Sequence, residues 1–150
     1  FCTEYMKTLD SDEKSQYTIV SFDLNDLKKM NDRYGHVHGD LLIKKAAELI
    51  QETFSDSAVV GRIGGDEFIA ILSTEDTNVV DELLEHLERR VDESNQSISE
   101  LNLSISYGYA VRSEIQNNET ENVYKLSDER MYEYKRMHKK ECDNISEKST

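Results

Sequence analysis

The stretch Ala58-Val59-Val60-Gly61-Arg62-Ile63-Gly64-Gly65-Asp66-Glu67-Phe68-Ile69-Ala70-Ile71-Leu72 decides the fold. Ala58 to Ile63 and Phe68 to Leu72 are strand-like apolar runs. The Gly64-Gly65-Asp66-Glu67 segment between them predicts a β-hairpin with acids at its turn. Before it, Tyr17 to Phe22 (YTIVSF) reads as a buried strand that runs straight into Asp23. Asn25 to Tyr34 reads as a short helix stopped by Gly35. Asp40 is placed to begin a second helix, with Leu41, Leu42, Ala46, Leu49, Ile50 and Phe54 along its stripe, and Ser55 to Ser57 makes a turn. After the hairpin, Asp76 to Asn95 is an amphipathic helix with Val80, Leu83, Leu84, Leu87 and Val91 on one face. Leu101 to Val111 alternates as a strand, where Gly108 marks a bulge or a close approach. Asn122 to Lys139 is the last helix, with Val123, Leu126, Met131 and Tyr134 on one face. Phe1 to Leu9 resembles the tail of a helix. Asp10 to Gln16 and Ser113 to Thr120 are loops, and 141–150 is a polar, frayed tail. The order is strand, helices, hairpin, helix, strand, helix. It predicts an α+β domain, an antiparallel or mixed sheet covered by helices.

A chain of 150 residues with 37% hydrophobic and 33% charged residues makes one domain with a core of its own. Its 31 acids against 18 bases give a net charge of −13. Such a chain is a poor general binder of nucleic acid or anionic membranes, and no nucleic-acid or membrane partner is expected. It can still hold one nucleotide locally, through a metal ion and a few lysines. No apolar run approaches the roughly 20 residues of a membrane span. Cys2 and Cys142 make neither a zinc spacing nor a disulfide framework, so the simple reading is a reduced, cytoplasmic setting.

Asp23 stands at a strand end, and Asp66 and Glu67 stand at a hairpin turn. Neighbouring strands can bring them together. Carboxylates converging at strand ends are hard oxygen ligands suited to Mg²⁺, which takes its remaining ligands from water and phosphates. That is what phosphoryl or nucleotidyl transfer needs. Taken alone, Asp66 and Glu67 could equally be polar turn residues, and Gly64 and Gly65 could serve only to supply positive φ.

The wider pattern resembles one family. Arg62-Ile63-Gly64-Gly65-Asp66-Glu67-Phe68 is similar to the signature of the GGDEF family, the diguanylate cyclases. Phe22-Asp23-Leu24-Asn25-Asp26-Leu27-Lys28-Lys29-Met30-Asn31-Asp32 resembles its strand-to-helix segment. Gly35-His36-Val37-His38-Gly39-Asp40 resembles its GHxxGD stretch, and Ser104-Ile105-Ser106-Tyr107-Gly108 its late strand. Ser127-Asp128-Glu129-Arg130-Met131-Tyr132-Glu133-Tyr134-Lys135 resembles its ADxxxYxxK helix. The matches run in family order from Tyr17 to Lys139, and the ordered set is far more specific than a lone four-residue motif.

The resemblance implies a nucleotidyl cyclase or polymerase palm-like (ferredoxin-like) fold, a mostly antiparallel sheet surrounded by helices. It also implies condensation of two GTP into cyclic di-GMP with release of two pyrophosphates, one GTP on each of two facing domains. Asp23, Asp66 and the Leu24 carbonyl match the family's ligands for Mg²⁺ or Mn²⁺. Glu67 matches the next acid, which either takes the 3′-hydroxyl proton or helps hold metal. Gly64 and Gly65 match the bare backbone next to substrate. Asn31 and Asp40 match the guanine readers; a carboxylate accepts from both N1–H and the N2 amino group, a donor pair adenine lacks. Outside the resemblance, Asp40 reads as a helix N-cap and Asn31 as a surface residue.

Lys28 and Lys135 match phosphate-binding lysines, which alone would read as surface lysines. Lys139 stands where the family has Arg, within His138-Lys139-Lys140, and lacks the arginine fork. Asn25 stands where many members carry a second Asp, a change read as tolerated. His36 and His38 read as loop-packing residues. Arg130 replaces a small apolar residue, with its stem reaching solvent. The family's product-inhibition site is an RxxD whose Arg precedes the first signature Gly by nine residues. Ser55 and Ala58 stand at its two ends here, so that feedback site is expected to be missing.

The resemblance also implies that residues 1–140 are the cyclase domain without its usual opening segment. A homodimer, and an upstream sensory or dimerising domain in a longer protein, are the implied partners besides GTP. The alternative readings are a GTP-binding regulatory module without turnover and an interaction domain that takes no nucleotide.

Overall fold

The computed structural model describes residues 2–10, 15–98, 100–117 and 119–148. Phe1, residues 11–14 of the first predicted loop and the last two residues of the predicted tail lie outside them. The elements are α1 (Cys2–Asp10), β1 (Thr18–Leu24), α2 (Leu27–Tyr34), α3 (His36–Phe54), β2 (Ala58–Arg62), β3 (Glu67–Leu72), α4 (Thr77–Ser97), β4 (Ile105–Val111) and α5 (Thr120–Lys148). A single 3₁₀ turn, Arg112–Glu114, follows β4. The four strands form one sheet in the order β2-β3-β1-β4, with every pair antiparallel. The α+β expectation holds, and the sheet is antiparallel rather than mixed.

Strand parity divides the core in two. Val20, Phe22 and Leu24 of β1 and Phe68, Ala70 and Leu72 of β3 join Leu42, Ala46, Leu49, Ile50, Phe54, Val80, Leu84 and Leu87 in one cluster under α3 and α4. Tyr17, Ile19, Ile69, Ile71, Ala110 and Val123 form the second, against α5 and α1. Ser21 and Asp23 therefore belong to the face that meets α5. The part of β4 that meets α5 is small for a reason. A Cβ on Gly108 would stand 2.2 Å from the backbone nitrogen of Met131. Gly108 is thus the close approach of helix to sheet rather than a bulge, and β1 pairs with β4 without a break through Ser21↔Gly108.

Three boundaries differ by more than two residues from the pattern reading. Helix α3 begins at His36, four residues before Asp40, because Gly35 (φ 90, ψ 166) serves both helices at once. Its N–H donates to the Asn31 carbonyl at 2.7 Å and its own carbonyl accepts from the Gly39 N–H at 3.3 Å. Asp40 is not the N-cap; it is exposed within the helix. Strand β4 begins at Ile105, not Leu101. Leu101 and Leu103 are buried as their alternation predicts, but Glu100 (φ 65) and Asn102 (φ 50) break the extended chain. The Asn95 side chain replaces the missing ladder by bonding both the N–H (2.8 Å) and the carbonyl (2.9 Å) of Leu103. Helix α5 runs on to Lys148 through most of the predicted frayed tail; no Gly or Pro interrupts Thr120 to Lys148. Among the described residues no helix is long and apolar enough to cross a membrane.

Candidate active site

The site lies where β1 ends and its antiparallel neighbour β3 begins. Asp23 pairs in register with Glu67 on one side and Ser106 on the other, so the central strand delivers its carboxylate between two neighbours. The hairpin folds back onto it, with the Leu24 N–H donating to the Asp66 carbonyl at 3.2 Å. Arg62 holds the turn, its guanidinium donating to the Gly64 carbonyl at 3.0 Å and the Gly65 carbonyl at 2.6 Å. Neither turn glycine has a positive φ, so the conformational reading of the pair is set aside. A Cβ on Gly64 would meet only Glu67 at ordinary contact distance, and one on Gly65 would meet nothing within 4 Å. The glycines leave bare backbone facing open space.

Asp23 is 4% exposed. Lys135, more than a hundred residues away on α5, donates to Asp23 Oδ2 at 2.8 Å and to the Leu24 carbonyl at 3.1 Å. Asp23 Oδ1 is buried with no hydrogen-bond partner. Burial raises the Asp23 carboxyl above the usual carboxylate range, Lys135 pulls it down, and the adjacent Asp66 adds to the rise. Two neighbouring carboxylates, one with an orphaned oxygen, and a main-chain carbonyl are a hard oxygen donor set. It fits a small divalent cation. Among the described residues no three His, Cys, Asp or Glu side chains converge on a common point. The protein would supply few ligands, which suits an ion that keeps sites for phosphate oxygens.

Beside this corner opens a cleft of about 660 Å³ between α2 and α5. Lys28, Lys135 and Lys139 all line it, together with Lys29, Arg33 and Asn25, and with the acids Asp26, Asp32 and Asp143 among them. Five bases against three acids leave this lining positive on a chain of net charge −13, suited to a polyphosphate. Asn31 and Asp40 lie outside that lining, at the α2–α3 junction. Asn31 Oδ1 is buried and unpartnered, and it lies where a Cβ on Gly39 would come within 1.7 Å. Gly39 therefore makes room for the Asn31 amide next to Asp40. Asp40 has no side-chain hydrogen bond or ion pair among the described residues. His36 and His38 lie on α3 rather than in a loop; His38 packs against Tyr34 with ring centroids 4.8 Å apart, whereas His36 is exposed and has no packing role.

Several residues carry more than the sequence reading assigned. Asn25 is 7% exposed; its amide donates to Ser104 Oγ at 2.8 Å and accepts from Ser106 Oγ at 2.6 Å. The amide uses both its nitrogen and its oxygen here and, unlike an Asp, brings no charge into this buried position. The Tyr132 hydroxyl reaches Glu67 Oε1 at 3.4 Å. Burial raises the Asp128 carboxyl, and the nearby charge of Glu67 adds to the rise. Only the ADxxxYxxK spacing hinted that Asp128 and Tyr132 would face this corner. Arg130 does not simply reach solvent. Its guanidinium pairs with both Glu114 oxygens at 2.9 Å and donates to the Tyr109 carbonyl.

A helix-covered antiparallel sheet with paired carboxylates at the end of its central strand is the palm-like fold of nucleotidyl cyclases. The family profile described as Diguanylate cyclase, GGDEF domain, matches residues 2–141. The chain belongs to the GGDEF family. It is 34% identical over 120 residues to the probable diguanylate cyclase DgcJ of Escherichia coli K12, covering 79% of this chain and 23% of that protein. It is 30% identical over 129 residues to the probable diguanylate cyclase DgcT of the same organism, covering 83% and 28%. The chain thus spans about a quarter of the length of these relatives. Among solved structures, the active GGEEF domain of a diguanylate cyclase from Vibrio cholerae superposes with a TM-score of 0.72 at 26% identity, covering 88% of this chain and 84% of that one.

Proposed function

We propose that this domain is a Mg²⁺- or Mn²⁺-dependent diguanylate cyclase, joining two GTP into cyclic di-GMP and releasing two pyrophosphates across a pair of facing domains. The observation that carries the reading is the buried, unpartnered Asp23 Oδ1 beside Asp66 and the Leu24 carbonyl, at the mouth of a lysine-lined cleft. In this reading Asp23, Asp66 and the Leu24 carbonyl hold the cation. When bound, it neutralises charge on the triphosphate and polarises the α-phosphate for attack by a 3′-hydroxyl. Lys28, Lys135 and Lys139 bind the triphosphate, Lys139 as a point charge without the arginine fork. Asn31 and Asp40 read the guanine edge. Gly64 and Gly65 let the nucleotide lie against bare backbone, in the turn that Arg62 holds. Glu67 accepts the 3′-hydroxyl proton or completes the cation's shell.

Each bond formed joins a 3′-oxygen to an α-phosphorus and breaks that phosphorus's bond to pyrophosphate. Two such steps close the ring, so the active unit is a homodimer, brought together by a domain of the longer protein. Ser55 and Ala58, at the α3–β2 turn and the start of β2, replace the RxxD pair, so product inhibition through that site is lost.

The test is incubation of the purified chain at high concentration with GTP and Mg²⁺, followed by separation of the nucleotides. Cyclic di-GMP is the expected product, and Asp66→Ala is expected to lower its formation by on the order of 10³-fold. The second reading, a GTP-binding module without turnover, draws on Lys139 standing in the arginine position. It predicts GTP binding with the nucleotide left intact.

A further inference from the structure

We propose that Lys135 is the placeholder cation of the Asp23 site, so that metal entry and triphosphate capture are one coupled exchange. The inference rests on the metal reading above. The Lys135 ammonium lies 2.8 Å from Asp23 Oδ2 and 3.1 Å from the Leu24 carbonyl oxygen. Those oxygens belong to two of the three groups assigned to the divalent ion. A carboxylate as buried as that of Asp23 needs a neutralising partner, and Lys135 supplies it. A divalent ion and an ammonium cannot share the same corner at this distance without strong repulsion, so one must leave before the other binds.

Lys135 is built to leave. Its side chain is 32% exposed, and its head sits on a flexible four-carbon stem. It also lines the cleft that Lys28 and Lys139 line. The ammonium can therefore turn from Asp23 into the cleft with no backbone movement. What it finds there decides the energetics. With the metal alone, it enters a cleft where Lys28, Lys29, Arg33 and Lys139 outnumber Asp26, Asp32 and Asp143, beside a newly bound divalent charge. With a triphosphate present, it finds phosphate oxygens. Metal alone binds weakly, and metal with nucleotide binds well. By linkage the nucleotide gains from the metal by the same factor.

The test is Mn²⁺ binding, followed by the loss of the free-ion electron paramagnetic resonance signal, with and without an α,β-methylene analogue of GTP. The proteins are the wild type, Lys135→Met, Lys135→Gln, Lys28→Met and Asp23→Asn. Methionine keeps the stem of Lys135, and glutamine keeps a donor for Asp23, so folding is retained and is checked by circular dichroism. Without nucleotide, Lys135→Met is expected to bind Mn²⁺ about tenfold tighter than the wild type, in the ordinary range of coupling between sites. Its enhancement by the analogue is expected to shrink. Lys28→Met is expected to weaken the analogue and to tighten nucleotide-free Mn²⁺ binding by much less than Lys135→Met does, since it thins the cleft's positive charge but leaves the placeholder on Asp23. Equal or weaker Mn²⁺ binding in both Lys135 variants, with binding lost in Asp23→Asn, would overturn the placeholder and leave the metal site standing. Indistinguishable binding in wild type and Asp23→Asn would overturn both.

Discussion

Along the seam where α5 crosses β1, polar groups meet at three levels, and the two ends of the seam are built differently. At the far end the Tyr17 hydroxyl donates to Thr120 Oγ1 at 3.0 Å, and the Thr120 N–H is taken by Asp10 at 2.6 Å. One level on, Ser21 and Ser127 hydroxyls meet at 2.7 Å. Ser127 spends its proton on the Tyr124 carbonyl, so Ser21 is the donor of that pair. Every group named at these two levels has a partner. At the third level Asp23 meets Lys135, one carboxylate oxygen has no partner, and a second carboxylate crowds in. The same helix on the same strand is closed where it only holds the fold and open where it faces the cleft. Buried polar groups left unsatisfied at the third level alone are what a ligand site looks like before its ligand is considered.

The largest effect that could break this contrast is at the open level. Asp66→Ala is expected to lower GTP turnover by on the order of 10³-fold, about 4 kcal/mol of transition-state stabilisation, with no loss of thermal stability. Product analysis and a thermal melt on the same sample check both halves. Next is the spacing of the seam. Gly108→Ala pushes a methyl into the Met131 backbone, which cannot rotate away, and is expected to cost about 2–3 kcal/mol in urea unfolding. Turnover falls with it, because the displaced helix carries Lys135. A closed level gives less: Ser127→Ala leaves the Ser21 hydroxyl buried without an acceptor and is expected to cost about 1 kcal/mol, with turnover unchanged.

Smallest is the exposed pair beyond the seam. Arg130 holds the Glu114 carboxyl below its usual range, chiefly by hydrogen bonding. A folded-state value below the unfolded one stabilises above the unfolded pKa and is lost as pH falls through the folded one. Glu114→Gln is therefore expected to cost no more than ~0.5 kcal/mol near pH 7, since the pair is solvent-screened. Its gap from the wild type should close in acid, below about pH 4.5. Unfolding curves at the two pH values measure it.

The sequence carried the site's ingredients better than its wiring. The hairpin was legible because Gly64-Gly65 sits between two β-rich runs, and Asp23 because an apolar strand ends on a charge. Those are local signals. The Lys135–Asp23 contact joins residues 112 positions apart. Only the register of α5 on β1 creates it, so Lys135 reads as a phosphate ligand and its second partner stays hidden. Asn25 reads as a neutral replacement because its reason lies in Ser104, just before β4, and Ser106 within it. The sequence points to Asp40 as the start of α3 because Asp40 has the chemistry of a cap, whereas Gly35 has the backbone that makes the turn. The Arg62 latch on the two glycines was also invisible, since an arginine at a strand end carries no signal of where its head will go.

The most direct test of the open level is anomalous scattering from crystals grown with Mn²⁺ and the α,β-methylene GTP analogue. The account predicts a manganese peak bounded by Asp23, Asp66 and the Leu24 carbonyl, with the Lys135 ammonium moved onto the triphosphate. A peak elsewhere, or none, with Lys135 still on Asp23 would contradict it.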